Sequence, residues 1–585
     1  MYGFRRRPGR AGNPVAGLGS EWIARAARTA VVLVLGLAGS LGCSAGEPPS
    51  GAAVEPSLGA AGEAIYLRGV LRSGEPLEAA GKFEGVPSVK GADAACVNCH
   101  QRSGLGTSEG YNLYLTVPPI TGLYLFHARG ATSNEPVLPY LEWMHGNRDP
   151  YTEATLARAI RDGVDSQGRP LSPLMPRYAL GDADMTALTE YLKQLDVRQN
   201  PGVTDTVLHF ATIITPDADP AKARAVLDVM QRYFADKNLF PIGASRNMRT
   251  SGRTEYAKSM FMSHRLWELH VWELTGPAST WQAQLEQKLA REPVLAVVSG
   301  LGGSNWAPVH AFCEKAALPC LFPNADVPVD DNRDFYPLYF SKGVLLEAEL
   351  IETAINDGRS GGDSPISVRQ IYRSGDSGEA AANALAAQLK TRGITVSSRA
   401  LGTDPAGRDL ADALRDSGMG EVLVLWLRPQ DIAALGEAPA APAKIFMSGL
   451  MGGLEHAPLP DSWRKRVRMA YPFDLPEGRR LRMQYALSWF SIKHIPIVDE
   501  QVQTDTYIAC GLLAETLSHM ADNLVQPFLI EMLQSAAERR LFNTGYYPHL
   551  VLGRNQHFAS KGGYMVHFAD SSGPRLVADS DWVIP

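Results

Sequence analysis

Cys96-Val97-Asn98-Cys99-His100 decides how the first third of this chain reads. Two thiols spaced by two residues and followed by an imidazole form CxxCH, the attachment pattern of c-type haem. Each part has a chemical task. Cys96 and Cys99 add to the two vinyl groups of a porphyrin, and His100 reaches the iron from the proximal side. A CxxC alone also suits zinc or a redox dithiol. An export leader upstream and a sulfur ligand downstream separate those readings.

The sulfur comes from Leu171-Ser172-Pro173-Leu174-Met175-Pro176. Prolines on both sides of Met175 restrict the backbone and so fix where its thioether points. A helix should follow, with Asp182 as N-cap and Leu188, Tyr191, Leu192 and Leu195 on one face. Met185 suits a helix face, and Met144, His127 and His145 remain alternatives to Met175 as distal ligand. Ligation by Met and His raises a haem's potential, which suits an electron carrier.

With these motifs in place, residues 62–197 resemble a class I monohaem cytochrome c. The resemblance implies a small all-α domain holding one covalent haem c, with His100 and Met175 on the iron. Gly62-Glu63-Ala64-Ile65-Tyr66 resembles the N-terminal helix of that family. Pro118-Pro119-Ile120-Thr121-Gly122 resembles its middle segment, where a proline carbonyl accepts the hydrogen bond of the ligating His. Pro118 or Pro119 would supply it. The departure is the long span between His100 and Met175, with an aromatic insertion around residues 111–143. That insertion would shield the haem edge, contact a partner or simply pack.

Residues 1–43 read as an export signal. Arg5, Arg6, Arg7, Arg10, Arg25 and Arg28 precede an apolar run from Ala30 to Leu41, too short to span a bilayer. Ser40-Leu41-Gly42-Cys43 resembles a bacterial lipobox, which implies lipidation at Cys43, although Ser40 and Leu41 depart from the pattern. Residues 44–61, rich in Ala, Gly, Pro and Ser, form a flexible tether. Ser44 after the lipidated Cys favours outer-membrane sorting in a Gram-negative periplasm. Cys313 and Cys320 are candidates for a short disulfide in an oxidising compartment. With His310 they give only three ligands, fewer than a closed zinc site needs. Cys510, in an apolar helical run, reads as a buried thiol.

The chain has 585 residues, 45% of them hydrophobic, and a formal net charge of −6. That leaves room for more than one core. The acidic balance, steeper once the arginine-rich leader is removed, argues against nucleic acid as a partner.

After a linker at residues 198–206, strands alternate with helices. Buried-strand runs occur at residues 207–214, 294–300, 318–323, 367–372, 421–426 and 444–448, which calls for parallel sheets covered on both faces. Phe261–Trp272 reads as aromatic packing, with Trp267 and Trp272 as exposed contacts. The order of Ser299-Gly300-Leu301-Gly302-Gly303-Ser304, Leu318–Asp326, Ile371–Gly378 and Leu550–Gly562 makes residues 207–585 similar to the type I periplasmic binding proteins. The resemblance implies two α/β lobes around a solute cleft. A Gly-rich turn before a helix is a natural anion seat. On the family's pattern Gly303, Ser304 and Asn305 line that seat, Asn324 and Asp326 follow on the next loop, and Tyr372 faces them from the other lobe. Asp326 stands where amino-acid receptors tend to have a small neutral residue, so amino-acid specificity does not carry over.

The chain therefore reads as a lipid-anchored periplasmic cytochrome fused to a solute-binding part, an electron carrier and binding protein rather than a stand-alone enzyme. A redox partner protein and a small polar solute are the expected partners. Two other readings remain open: a transport receptor or sensor with an accessory haem domain, and a haem subunit of an oxidoreductase. The linker is expected to be the sole connection between the two parts.

Overall fold

The computed structural model describes residues 57–585 apart from 82–87, 109–115, 128–147, 196–199, 249–264, 332, 358–366, 403–407, 416, 417, 419, 441, 521, 522, 541, 542, 555, 571 and 572. The leader, Cys43, most of the tether, Met144, His145 and most of the aromatic insertion lie outside the described residues. No helix among the described residues is long and apolar enough to cross a membrane.

The N-terminal part is built on two helices that cross closely. Leu58–Glu63 opens on Ser57, whose hydroxyl accepts from the Ala60 amide, and continues as a π-helical turn, Ala64–Arg68. It packs on Asp182–Gln194. A Cβ on Gly62 would stand 2.1 Å from the Ala187 carbonyl oxygen, so only glycine allows this approach. Ile65, Tyr66, Leu188 and Leu192 are all at most 2% exposed and form the core between the helices. Gly181, not Asp182, is the N-cap. Asp182 is the first helical residue, where its charge favours the positive helix end, and it pairs with Arg161 at 2.8 Å.

This part is not purely helical. Glu78–Ala80 pairs antiparallel with Val89–Lys90 and Arg177–Tyr178, and Thr107–Ser108 pairs with Thr116–Val117. These ladders of two or three residues satisfy the backbone groups of loop segments. They are too short to leave a two-residue period in the sequence.

The remainder forms two lobes, each around a seven-stranded sheet. The first runs Asn324–Ala325, Leu301–Gly302, Val207–Ile214, Ala296–Val298, Cys320–Leu321, Pro337–Leu338, with Leu266–Glu273 also beside Val207–Ile214. All its pairings are parallel. The second runs Thr395–Leu401, Ser367–Arg373, Val422–Trp426, Lys444–Ser448, Val467–Tyr471, Tyr564–Phe568, Leu576–Ala578; only the last two pairings are antiparallel. After Tyr471 the chain returns to the first lobe. There Glu500–Met520 packs on Pro220–Met248, and Thr506 Oγ1 lies 3.0 Å from Ser299 Oγ. A disulfide joins Cys313 to Cys320, tying helix Ala307–Lys315 to its following strand. Cys510 is fully buried.

Two expectations are corrected here. Leu266–Glu273 is a strand, and Trp267 and Trp272 are 8% and 0% exposed rather than surface contacts. Trp267 joins one core cluster and Trp272, on the opposite face, another, while Leu266, Glu268 and Glu273 are exposed, so no regular polar–apolar alternation marks the strand. The linker is also not the sole connection. Ser103 donates its backbone N–H to Glu531 Oε1 at 2.9 Å and its hydroxyl to Oε2 at 2.5 Å. Arg102 lies 4.4 Å over the Phe335 ring, Arg554 donates to the Asn98 carbonyl, and Leu105 joins the core cluster of Leu208 and Phe210. The residues just after His100 are therefore docked on the first lobe.

Candidate functional site

A cavity of about 250 Å³ lies inside the N-terminal part and is lined by Cys96, His100, Pro118, Pro119 and Met175. Leu125, Leu156, Ile160, Leu188 and Leu192 give it an apolar wall. The short helix Val97–His100 follows Cys96, so the Cys96 thiol and the imidazole face one space, while Cys99 is exposed and does not line it. His100 Nδ1 lies 3.0 Å from the Pro118 carbonyl, which makes Pro118 rather than Pro119 its partner. An Nδ1–H donated there leaves Nε2 as the ligating nitrogen. Burial, opposed by that hydrogen bond, brings the His100 pKa down to about 4, so the ring is neutral, as a ligand must be. Met175 is half-buried, and its carbonyl accepts from Arg177 Nη1.

These residues fit a c-type haem: an apolar space with a free cysteine, an imidazole and a thioether on its wall, and a second free cysteine three residues along the chain from the first. Met185, by contrast, is 5% exposed within the helix core and does not line the cavity, nor does His127. Sequence reasoning missed Arg148 and Arg169, which also line it. Arg148 stacks 4.2 Å from the Tyr151 ring centroid, and Arg169 pairs with Asp165 at 2.8 Å. An arginine far from the motif carries no local mark of facing a cavity.

A second cavity of about 850 Å³ separates the two lobes. Gly303, Ser304, Asn324 and Asp326 line it from the first lobe. Asn305 does not; it is exposed beside Trp306, which turns into the core. Tyr372 does not either. It packs in the core of the second lobe, and Arg373, one residue on and therefore on the opposite face, lines the cleft.

The Gly-rich turn is already engaged. The Ser304 amide donates to Asp217 Oδ2 at 3.1 Å, and Thr215 Oγ1 donates to Oδ1 of the same carboxylate. A Cβ on Gly303 would stand 2.4 Å from Asp217 Oδ2, so glycine is what lets the carboxylate sit there. Asn324 Nδ2 is directed to Ser299 Oγ at 3.2 Å. Asp326 reaches across the cleft: its Oδ2 accepts from Arg428 Nη2 at 2.6 Å and Ser377 Oγ at 2.8 Å. Arg428 also binds Asp376, and these two carboxylates outweigh its burial and hold its pKa above the ordinary value.

One further carboxylate was not foreseen. Asp505, on helix Glu500–Met520, is 2% exposed and lines the cleft. Its Oδ2 accepts from Tyr547 Oη at 2.9 Å and Gln501 Nε2 at 2.6 Å, while Oδ1 has no partner among the described residues. Burial raises its pKa to about 7 against those hydrogen bonds.

The cytochrome c family model matches residues 90–196. No curated protein matches the chain. Among solved structures, it is similar to a fatty acid ABC transporter substrate-binding protein from Thermomonospora curvata, with 16% identity over 66% of this chain and 95% of that one, TM-score 0.44. It is also similar to a branched chain amino acid ABC transporter from Thermus thermophilus with bound valine, with 10% identity over 66% and 97%, TM-score 0.44. An extracellular ligand-binding receptor from Verminephrobacter eiseniae shares 15% identity over 64% and 100%, TM-score 0.42. The stretch that holds Cys96, Cys99, His100 and Met175 is a cytochrome c domain.

Proposed function

We propose that this chain is a periplasmic c-type cytochrome that transfers single electrons through one haem, fused to a two-lobed part that binds a small polar solute or docks a partner. The observation that carries the first half is the convergence of His100, Met175 and Cys96 on one apolar cavity, with Nδ1 of His100 held by Pro118. In this reading Cys96 and Cys99 hold the group covalently, and His100 and Met175 ligate its iron. The bound group supplies a one-electron couple whose potential the thioether raises. Arg148 and Arg169 offer cations to its carboxylates.

The two-lobed part resembles a solute receptor, and the unpartnered oxygen of buried Asp505 supports a ligand in its cleft. With the turn beside Ser304 filled by Asp217, the solute is one that meets Asp505 Oδ1 through an uncharged hydrogen-bonding group, an amide or hydroxyl, rather than one led by a carboxylate. A lipid anchor at Cys43 on the outer membrane and a periplasmic redox partner complete the proposal.

The test is covalent attachment. Cys96→Ala and Cys99→Ala, made singly, should lose most of the haem stain that survives denaturing electrophoresis, and the double variant should lose all of it. A fully stained double variant would contradict the assignment.

A further inference from the structure

We propose that His209, Glu268 and His270 form a zinc site on the first lobe. His209 lies 61 residues before His270, and strand register brings it to the Glu268–His270 pair. Val207–Ile214 and Leu266–Glu273 run parallel with His209 opposite Glu268 and Ala211 opposite His270. Side chains two apart share a face of a strand, so Glu268 and His270 point to the side on which His209 stands.

The donor atoms converge. His209 Nδ1 is 3.1 Å from His270 Nε2. Glu268 Oε2 is 3.7 Å from His209 Nδ1, and its Oε1 is 3.8 Å from His270 Nε2. Tetrahedral zinc with bonds of about 2.1 Å would hold its ligand atoms about 3.4 Å apart. The imidazole separation lies within a few tenths of an ångström of that spacing, and each imidazole has one oxygen of the Glu268 carboxylate at a similar distance, Oε2 for His209 and Oε1 for His270. Taking one ligand atom from each residue, the three lie within 4.8 Å of one another.

The surroundings of His270 argue for a metal over a simple imidazole pair. Its other nitrogen, Nδ1, faces Glu292 Oε2 at 3.4 Å, and that carboxylate accepts from Trp272 Nε1 at 3.1 Å. A carboxylate behind a histidine keeps the proton on Nδ1 and turns the Nε2 lone pair outward, which is how histidines are prepared to ligate zinc. Glu292 therefore orients His270, while Glu268 completes the ligand set.

Two imidazoles and one carboxylate suit zinc, with the fourth position left to water or to a donor from another molecule. The site is reachable from solvent, since the Glu268 side chain is 54% exposed, His209 22% and His270 16%. It lies in the first lobe, apart from the residues that line the cavity holding His100 and Met175.

The experiment uses the full-length haem-loaded protein, stripped with a chelator, dialysed and titrated with zinc chloride by calorimetry. One zinc per chain should bind in the micromolar range or tighter, and X-ray absorption at the zinc edge should show two imidazoles. His209→Asn and His270→Asn should each abolish this site. Glu292→Gln should weaken it roughly 10–100-fold. Glu268→Gln, at an exposed position that folding tolerates, should weaken it at least about tenfold and settles the matter if the histidine variants do not fold. No zinc uptake by the wild type, or uptake unchanged by Glu268→Gln and by the histidine variants, overturns the proposal; in the first case the histidines share a proton and nothing more.

Discussion

Met175 sits between Pro173 and Pro176 with its carbonyl held by Arg177, so its backbone is restricted, and its half-buried side chain packs at the margin of the core and lines the cavity. Met185 is the opposite case, 5% exposed and packed among Leu188 and Leu192. The two methionines should therefore fail in different ways. Met175→Ala should keep haem attached, remove the weak sulfur-to-iron absorbance of the oxidised protein and lower its potential. Met185→Ala should leave that absorbance intact and cost roughly 2–5 kcal/mol of stability by opening a cavity. Spectra and denaturant curves on both variants separate the roles; an absorbance lost in Met185→Ala instead would exchange them.

At the scale of elements, the turn ahead of helix Ala307–Lys315 shows why a motif underdetermines a site. Its glycines and Ser304 were legible as an anion seat, but its occupant, Asp217, lies 87 residues away and is brought in only by the sheet. Removing that occupant should free the seat. Asp217→Ala is expected to gain about tenfold or more in affinity for small carboxylates, the worth of one charged hydrogen bond at roughly 1.5–3 kcal/mol. Calorimetry of wild type and variant against a panel of amino acids and their amides reads this directly. Equal, weak binding of carboxylates by both would mean that the seat does not open to the cleft. The same logic explains which strands could be read in advance. Val207–Ile214 and Lys444–Ser448 are mostly apolar, buried runs and stand where the pattern placed them. Leu266–Glu273 mixes Trp, Glu and His because its two faces meet different surroundings, and nothing local marks it as a strand. CxxCH was legible because all its chemistry is local; Asp505, Arg148 and the pairing of His209 with His270 were not, because each is created by tertiary approach.

The whole molecule is held together partly by carboxylates that fold in their neutral form. Glu531 is partly buried where the haem-bearing segment meets the first lobe; loss of hydration there raises its pKa to about 7 despite the hydrogen bonds from Ser103 and Arg102. Asp505 is raised to about 7, and Glu347, clamped to Ser448, Gly449 and Leu450, to about 8, again chiefly by burial. An acid whose folded pKa lies above its unfolded value keeps its proton in the folded state while the unfolded chain loses it. Its stabilisation is complete below the ordinary carboxylate range near pH 4 and is lost as pH rises through the folded pKa. These groups should therefore make the protein less stable at pH 8.5 than at pH 5. Glu531→Gln cannot ionise, so it should remove that residue's share, of the order of 1–3 kcal/mol, and flatten the decline. The expected result is a melting temperature nearly equal to wild type at pH 5 and higher than wild type at pH 8.5. Ser103→Ala should act the other way: with its hydroxyl gone, the ionised carboxylate loses a donor and the decline steepens. Parallel melting curves for wild type and Glu531→Gln would mean that Glu531 meets solvent, and that the segment after His100 is not held against the first lobe through this carboxylate.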